Sequence, residues 1–200
     1  MDRDDVEVAA HEVLYRGYFR LEQYRLRHRL HADGWSDVIT RELFERGHAT
    51  AVLPYDPRRD AVVLVQQFRV GALAAGRGPW LTEAVAGIIG PGEAPEDVVR
   101  REAREEAGLH LGELIPISRH LTSPGGCSET VAVFCGRVDA AAAGGIHGLG
   151  HEHEDIRVVV MPVQDAFALR RRNAEIEDGT TVLALLWLEL NREELRRRWG

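Results

Sequence analysis

Three glutamates lie close together in Arg101-Glu102-Ala103-Arg104-Glu105-Glu106. The spacing around them predicts a helix over residues 95–107. Pro95 suits its first turn, Glu96 and Asp97 suit the positive end of its dipole, and Gly108 suits its stop. Ala94 offers no strong N-cap. At about 100° per residue, Glu102 and Glu106 fall within about 60° of Val99, beside the apolar stripe rather than opposite it. Glu105 falls one step further round the helix. Two carboxylates at i and i+4 beside a packed face repel each other and lose hydration. A divalent cation between them offsets both costs, and hard oxygen donors suit magnesium or manganese. On the helix alone, the pattern also fits a solvated acidic face balanced by Arg101 and Arg104.

The flanking residues decide between these readings. Gly87 is followed after five residues by Glu93, and Glu93 after seven by Arg101 and the glutamate run, which closes on Gly108-Leu109. This stretch of 23 residues resembles a complete Nudix box, with both glycines and every polar position in place. Ala103 is small for its apolar position. The resemblance implies hydrolysis of a nucleoside diphosphate linked to another group, with Glu102, Glu105 and Glu106 as metal ligands. It implies two or three Mg2+ ions, with Mn2+ possible, and the carbonyl of Ala86 as a further ligand. Glu93 and Arg101 are then partners that orient the helix and its glutamates.

Residues beyond the box point to a substrate. Pro124, in Ser123-Pro124-Gly125-Gly126, lies 15 residues beyond Leu109. Together with Gly145–Leu149, Glu154–Val158 and Arg46–Ala49, it resembles the bacterial ADP-ribose pyrophosphatase family, over about residues 12 to 190. That resemblance implies cleavage of ADP-ribose to AMP and ribose 5-phosphate. Arg69 would hold the diphosphate, Glu129 the terminal ribose, and Tyr18 and Arg41 the adenine. Glu129 as a solvated loop acid and Tyr18 as sheet packing are the plainer readings of those two residues. The general base would be Glu152, with Glu154 second in line or a further metal ligand. His151 and His153 flank Glu152, but no third His or Cys ligand is evident, so they read as solvated loop residues rather than a zinc site. A Nudix hydrolase for another nucleotide sugar, such as GDP-mannose, is the nearer rival. A non-catalytic module sensing ADP-ribose is the remoter one, because the box is whole.

These residues need a framework. Alternating apolar residues and the turn His31–Gly34 suggest N-terminal antiparallel strands over 1–47, with a Nudix domain over 48–200. Strands are expected at 49–53, 61–66, 80–86, 114–122, 129–138 and 156–162, with further helices near 164–172 and 180–198. Residues 71–78 read as a loop, and 139–154 as a long glycine-rich loop that would close over substrate. The resemblance implies an α/β fold: an α/β/α sandwich with a mixed sheet, and an N-terminal sheet swapped in a homodimer.

Composition is compatible with this and narrows it. The 200 residues are ordinary in hydrophobic content, at 44%. The net charge is 25 − 32 = −7, which argues against a general nucleic-acid binder. All 25 basic residues are Arg, a side chain that grips phosphate with two prongs. Cys127 and Cys135 are too few for a disulfide framework or a cysteine-based zinc site, and read as small packing residues. The acidic start, Met1–Asp5, does not resemble a signal peptide, and no apolar run is long enough to span a bilayer. The expectation is a soluble cytoplasmic enzyme acting on a small nucleotide sugar, with no nucleic-acid or membrane partner.

Overall fold

The structure, a computed structural model, describes residues 1–172 and 176–200, apart from the side chain of Glu152. The chain divides into two compact units, residues 1–48 with 120–130, and residues 49–119 with 131–200.

The first unit is built on a three-stranded antiparallel sheet in the order β1 (Val6–Arg16), β2 (Arg20–His28), β3 (Ile39–Glu45). Gly17–Phe19 turn the chain between β1 and β2, with the Gly17 N–H donating to the Phe19 carbonyl at 2.9 Å. The expected turn at His31–Gly34 lies between β2 and β3, where Asp33 and Gly34 both take positive φ. Register shifts after Val8 and after Val13 interrupt the β1 ladder. Such bulges twist and blunt a strand edge. Every residue of β1 is exposed, including Val8, Leu14 and Tyr15. Residues 120–130 are tied to β3, since the Phe44 N–H donates to the Gly126 carbonyl at 2.8 Å.

The second unit is a mixed sheet between helices. Its strands are β4 (Ala49–Asp56), β5 (Ala61–Phe68), β6 (Trp80–Glu83), β7 (Val85–Ile88), β8 (Leu114–Leu121), β9 (Thr130–Arg137), β10 (Ile146–His147) and β11 (Ile156–Pro162). Its helices are α1 (Val70–Ala74), α2 (Pro95–Ala107), α3 (Val163–Arg171) and α4 (Gly179–Trp199). The order is β10-β11-β5-β4-β9-β8, with β4 parallel to β9 and antiparallel to β5. β4 and β5 pair only beside their turn, at Tyr55↔Val62 and Asp56↔Ala61. Beyond that they part, and β5 takes β6 while β4 takes β7.

Both faces of this sheet are covered, so β4 and β5 read as unbroken apolar runs. Leu53, Leu64, Phe167, Leu185, Leu188 and Trp199 form the core on the α3 and α4 side. Val52, Val63, Val65, Val85, Val99 and Ala103 form the core on the α2 side. Among the described residues, no helix is long and apolar enough to cross a membrane.

Three expectations are corrected. Residues 71–78 are not all loop, because α1 occupies Val70–Ala74. The stretch 80–86 is not one strand. It is broken at Ala84, whose N–H leaves the ladder and donates to the buried Thr181 hydroxyl at 2.8 Å. The loop 139–154 contains β10, which pairs with β11. Thr181→Val keeps the shape of the side chain but leaves the Ala84 N–H without an acceptor. The expected cost is about 1–3 kcal/mol of unfolding free energy in urea denaturation.

Candidate functional site

The helix α2 spans Pro95–Ala107, as the sequence predicts. No side chain caps it at Ala94, and Gly108 ends it with φ 65°, a left-handed conformation that favours glycine. Its buried face consists of Val98, Val99, Ala103, Glu106 and Ala107. Glu106 is thus inside the apolar stripe and only 3% exposed. Its carboxylate accepts a hydrogen bond from the Ala86 N–H of β7, at 3.3 Å.

Glu102 lies one turn earlier and packs against Gly87. A Cβ built on Gly87 would stand 1.9 Å from Glu102 Oε1, so only glycine admits the carboxylate there. Arg101 gathers the remaining acids. Its Nη1 is 2.9 Å from both Glu102 and Glu105, and its Nη2 is 3.8 Å from Glu93. Glu93 in turn accepts from the Gly90 N–H at 2.8 Å, which holds the loop before the helix.

The electrostatics follow from burial. Burial first, then the charge of Glu102, pushes the Glu106 carboxyl up to about 8. Glu154 adds to this, while the Ala86 N–H and Arg69 oppose it. Burial also pushes Glu102 up to about 7, against the pull of Arg101. Two like charges held on one dry face are poised to accept a hard cation. As the side chains stand, Glu102 and Glu105 face Arg101. Among the described residues, no three His, Cys, Asp or Glu side chains converge on a common metal position.

Other residues singled out from the sequence fall near this face or apart from it. Arg69 follows β5, and its Nε–H donates to Glu83 Oε2 at 2.8 Å. Glu154 accepts from the Leu149 N–H at 3.0 Å, and the Gly148 N–H meets the Glu105 carbonyl at 3.3 Å, which ties this loop to α2. His151 and His153 are exposed. The Glu152 side chain lies outside the described residues.

Tyr18, Arg41, Pro124 and Glu129 belong to the first unit. Tyr18 is 86% exposed and meets Phe19 edge-on, so it does not pack in the sheet. Arg41 is exposed, with Nη1 donating to the Thr40 carbonyl at 2.8 Å, and Pro124 is exposed. Glu129 is buried with Arg46 Nε at 3.2 Å, rather than a solvated loop acid. Cys127 and Cys135 are free thiols.

Glu83 was not legible as a site residue. Burial raises its carboxyl, and Arg69 partly offsets this. The available signal was one acid in the otherwise uncharged Trp80-Leu81-Thr82-Glu83.

A NUDIX domain model matches residues 45–182, so the chain belongs to the Nudix family. It is 48% identical over 198 residues to the ADP-ribose pyrophosphatase of Escherichia coli (strain K12), covering 99% of this chain and 94% of that protein. It is 35% identical over 189 residues to the GDP-mannose pyrophosphatase of Cronobacter sakazakii, covering 93% and 96%. A crystal structure of an ADP compounds hydrolase shares the fold, with a TM-score of 0.72 at 20% identity, covering 98% and 96%.

The raised carboxyls set a pH dependence for the metal-free protein. Between the ordinary value of 4.5 and about 8, folded Glu106 holds a proton that the unfolded chain has released. Stability therefore falls as pH rises through that window. Glu106→Gln keeps an acceptor for Ala86 and removes the titration. With chelator present, the variant is expected to melt above wild type at pH 8.5, by an amount on the order of 3 kcal/mol, and the gap should close near pH 5. Thermal denaturation across pH reads this directly.

Proposed function

We propose that this chain is a cytoplasmic, Mg2+-dependent ADP-ribose pyrophosphatase that cleaves ADP-ribose to AMP and ribose 5-phosphate. The observation that carries the reading is the buried Glu106 with the partly buried Glu102 one turn away, the latter seated against Gly87, within a whole Nudix box. The choice of substrate rests on the 48% identity to an ADP-ribose pyrophosphatase. A second substrate, GDP-mannose, has support from the relative at 35%.

Glu102, Glu105 and Glu106 would hold two or three divalent ions, Mg2+ or Mn2+, with the Ala86 carbonyl and Glu154 as further ligands. Such ions, when bound, polarise phosphoryl oxygens and lower the pKa of water. Arg101, which pairs with Glu102 and Glu105, would keep the helix and its acids in register for the ions. Arg69 grips the diphosphate. Water attacks one phosphorus, the bridging P–O bond breaks, and Glu152 accepts the proton of the water, with Glu154 as the other candidate base. The loop 139–154 closes over the substrate. Tyr18 and Arg41 hold the adenine, Glu129 the terminal ribose, and Pro124 shapes its loop. The unit they belong to serves as the dimerisation region of a homodimer. The wholly exposed β1, with Val8, Leu14 and Tyr15 uncovered, supports that part of the reading.

A substrate panel with Mg2+ tests the proposal. ADP-ribose is expected to be cleaved well ahead of GDP-mannose, ADP-glucose and NADH, and chelator or Glu106→Gln should abolish turnover. A lead for GDP-mannose would keep the chemistry and replace the substrate. Binding of ADP-ribose without any cleavage would make the chain a sensing module. Glu152→Gln is expected to lower kcat by about 100- to 10,000-fold with folding intact. A change below tenfold would move the base to Glu154. Light scattering after gel filtration is expected to give the mass of two chains.

A further inference from the structure

Arg69 is fixed at both its backbone and its side chain. Its N–H donates to the Pro79 carbonyl at 2.7 Å, extending the β5–β6 ladder one step beyond Phe68↔Trp80. Its Nε–H donates to Glu83, and it makes no other side-chain hydrogen bond or ion pair among the described residues. Glu83 is 7% exposed and pairs with Val65 in register. Side chains alternate along a strand, so Val65, Gln67 and Arg69 share the face of the sheet that α2 covers. Glu83 and Leu81, opposite Val65 and Gln67, share it too. Gln67 is 8% exposed, and its buried Nε2 has no hydrogen-bond partner among the described residues. An orphan donor beside a half-exposed guanidinium marks a place where acceptor oxygens are wanted.

We propose that Glu83 is a positioning residue for diphosphate binding: it takes the Nε–H of Arg69, so that Nη1 and Nη2 face outward as a rigid fork for two phosphate oxygens. The inference rests on the reading of Arg69 as the diphosphate grip. A guanidinium has five donors in a fixed plane, so one edge can be anchored while the other binds. Lysine has no second edge, which makes Arg69→Lys a severe change. The buried carboxylate also cancels the charge of Arg69, so its benefit to an anionic substrate comes through geometry and not through attraction. That separates the two roles by sign. If Glu83 acted on substrate only as a nearby negative charge, removing it would tighten binding. If it positions Arg69, removing it weakens binding.

The test measures ADP-ribose affinity by calorimetry in chelator, and kcat and KM with Mg2+, for Glu83→Ala, Glu83→Gln, Arg69→Ala and the double variant. Glu83→Ala is expected to raise Kd and KM about 10-fold with kcat changed less than about threefold. Glu83→Gln, which still offers an oxygen to Nε–H, should recover most of the loss. In the Arg69→Ala background, Glu83→Ala should add nothing. Glu83→Met fills the same space and stands in if the alanine variant fails to fold. Unchanged or tighter binding in Glu83→Ala, or additive effects in the double variant, overturns the inference while leaving the Arg69 reading intact. A silent Arg69→Ala overturns the Arg69 reading and this inference with it. A wild type that neither binds nor cleaves ADP-ribose overturns the functional reading itself, and both residue roles fall with it.

Discussion

Glu106 is a buried ionisable side chain on a helix face otherwise made of valine and alanine, with a second carboxylate one turn away on Glu102. A helix does not gain stability from such a pair in water, and in a dry setting each charge raises the cost of the other. Much of the second unit can be read as the means of holding them there. The glycine at 87 makes room for Glu102, the Ala86 N–H meets Glu106, and Arg101 collects the acids at the rim. Val99 and Ala103 anchor the same helix against the sheet.

The parting of β4 and β5 is the topological consequence. Had the two strands stayed paired along their length, Ala86 and Gly87 would have no ladder to join. Because they separate beyond Tyr55↔Val62, β6 lies against β5 and carries Glu83, while β7 lies against β4 and carries Ala86 and Gly87. One opened hairpin thus places an arginine, its carboxylate partner and the glycine that makes room for Glu102 on the same face of one sheet, with the Ala86 N–H beside them. The break at Ala84 between β6 and β7 is made good from the opposite side of the sheet, by the hydroxyl of Thr181.

The first unit has a different character. It carries no extensive core of its own beneath β1, and its polar side chains are held by short local networks. Examples are Glu45 with Ser128 at 2.5 Å and Arg46 with Glu129 at 3.2 Å. Burial of Glu129 there shows how a residue that looks solvated in sequence acquires a fixed partner from a segment some eighty positions away.

The sequence by itself determined the helix Pro95–Ala107 and its ends, the placement of Glu102 and Glu106 beside the apolar stripe, and most strand positions. These depend on local causes: the fixed φ of proline, the left-handed freedom of glycine, and the period of hydrophobic residues. The spacing of the box also carried the family, since it records a close approach between Gly87 and Glu102 as a residue type. What only the tertiary structure decided was long-range. The break of the 80–86 stretch depends on a hydroxyl 97 positions away, and the role of Glu83 depends on a strand pairing that brings it to Arg69. Neither interaction leaves a period or a turn signal in its own segment, because the partner that satisfies each buried polar group lies elsewhere in the chain.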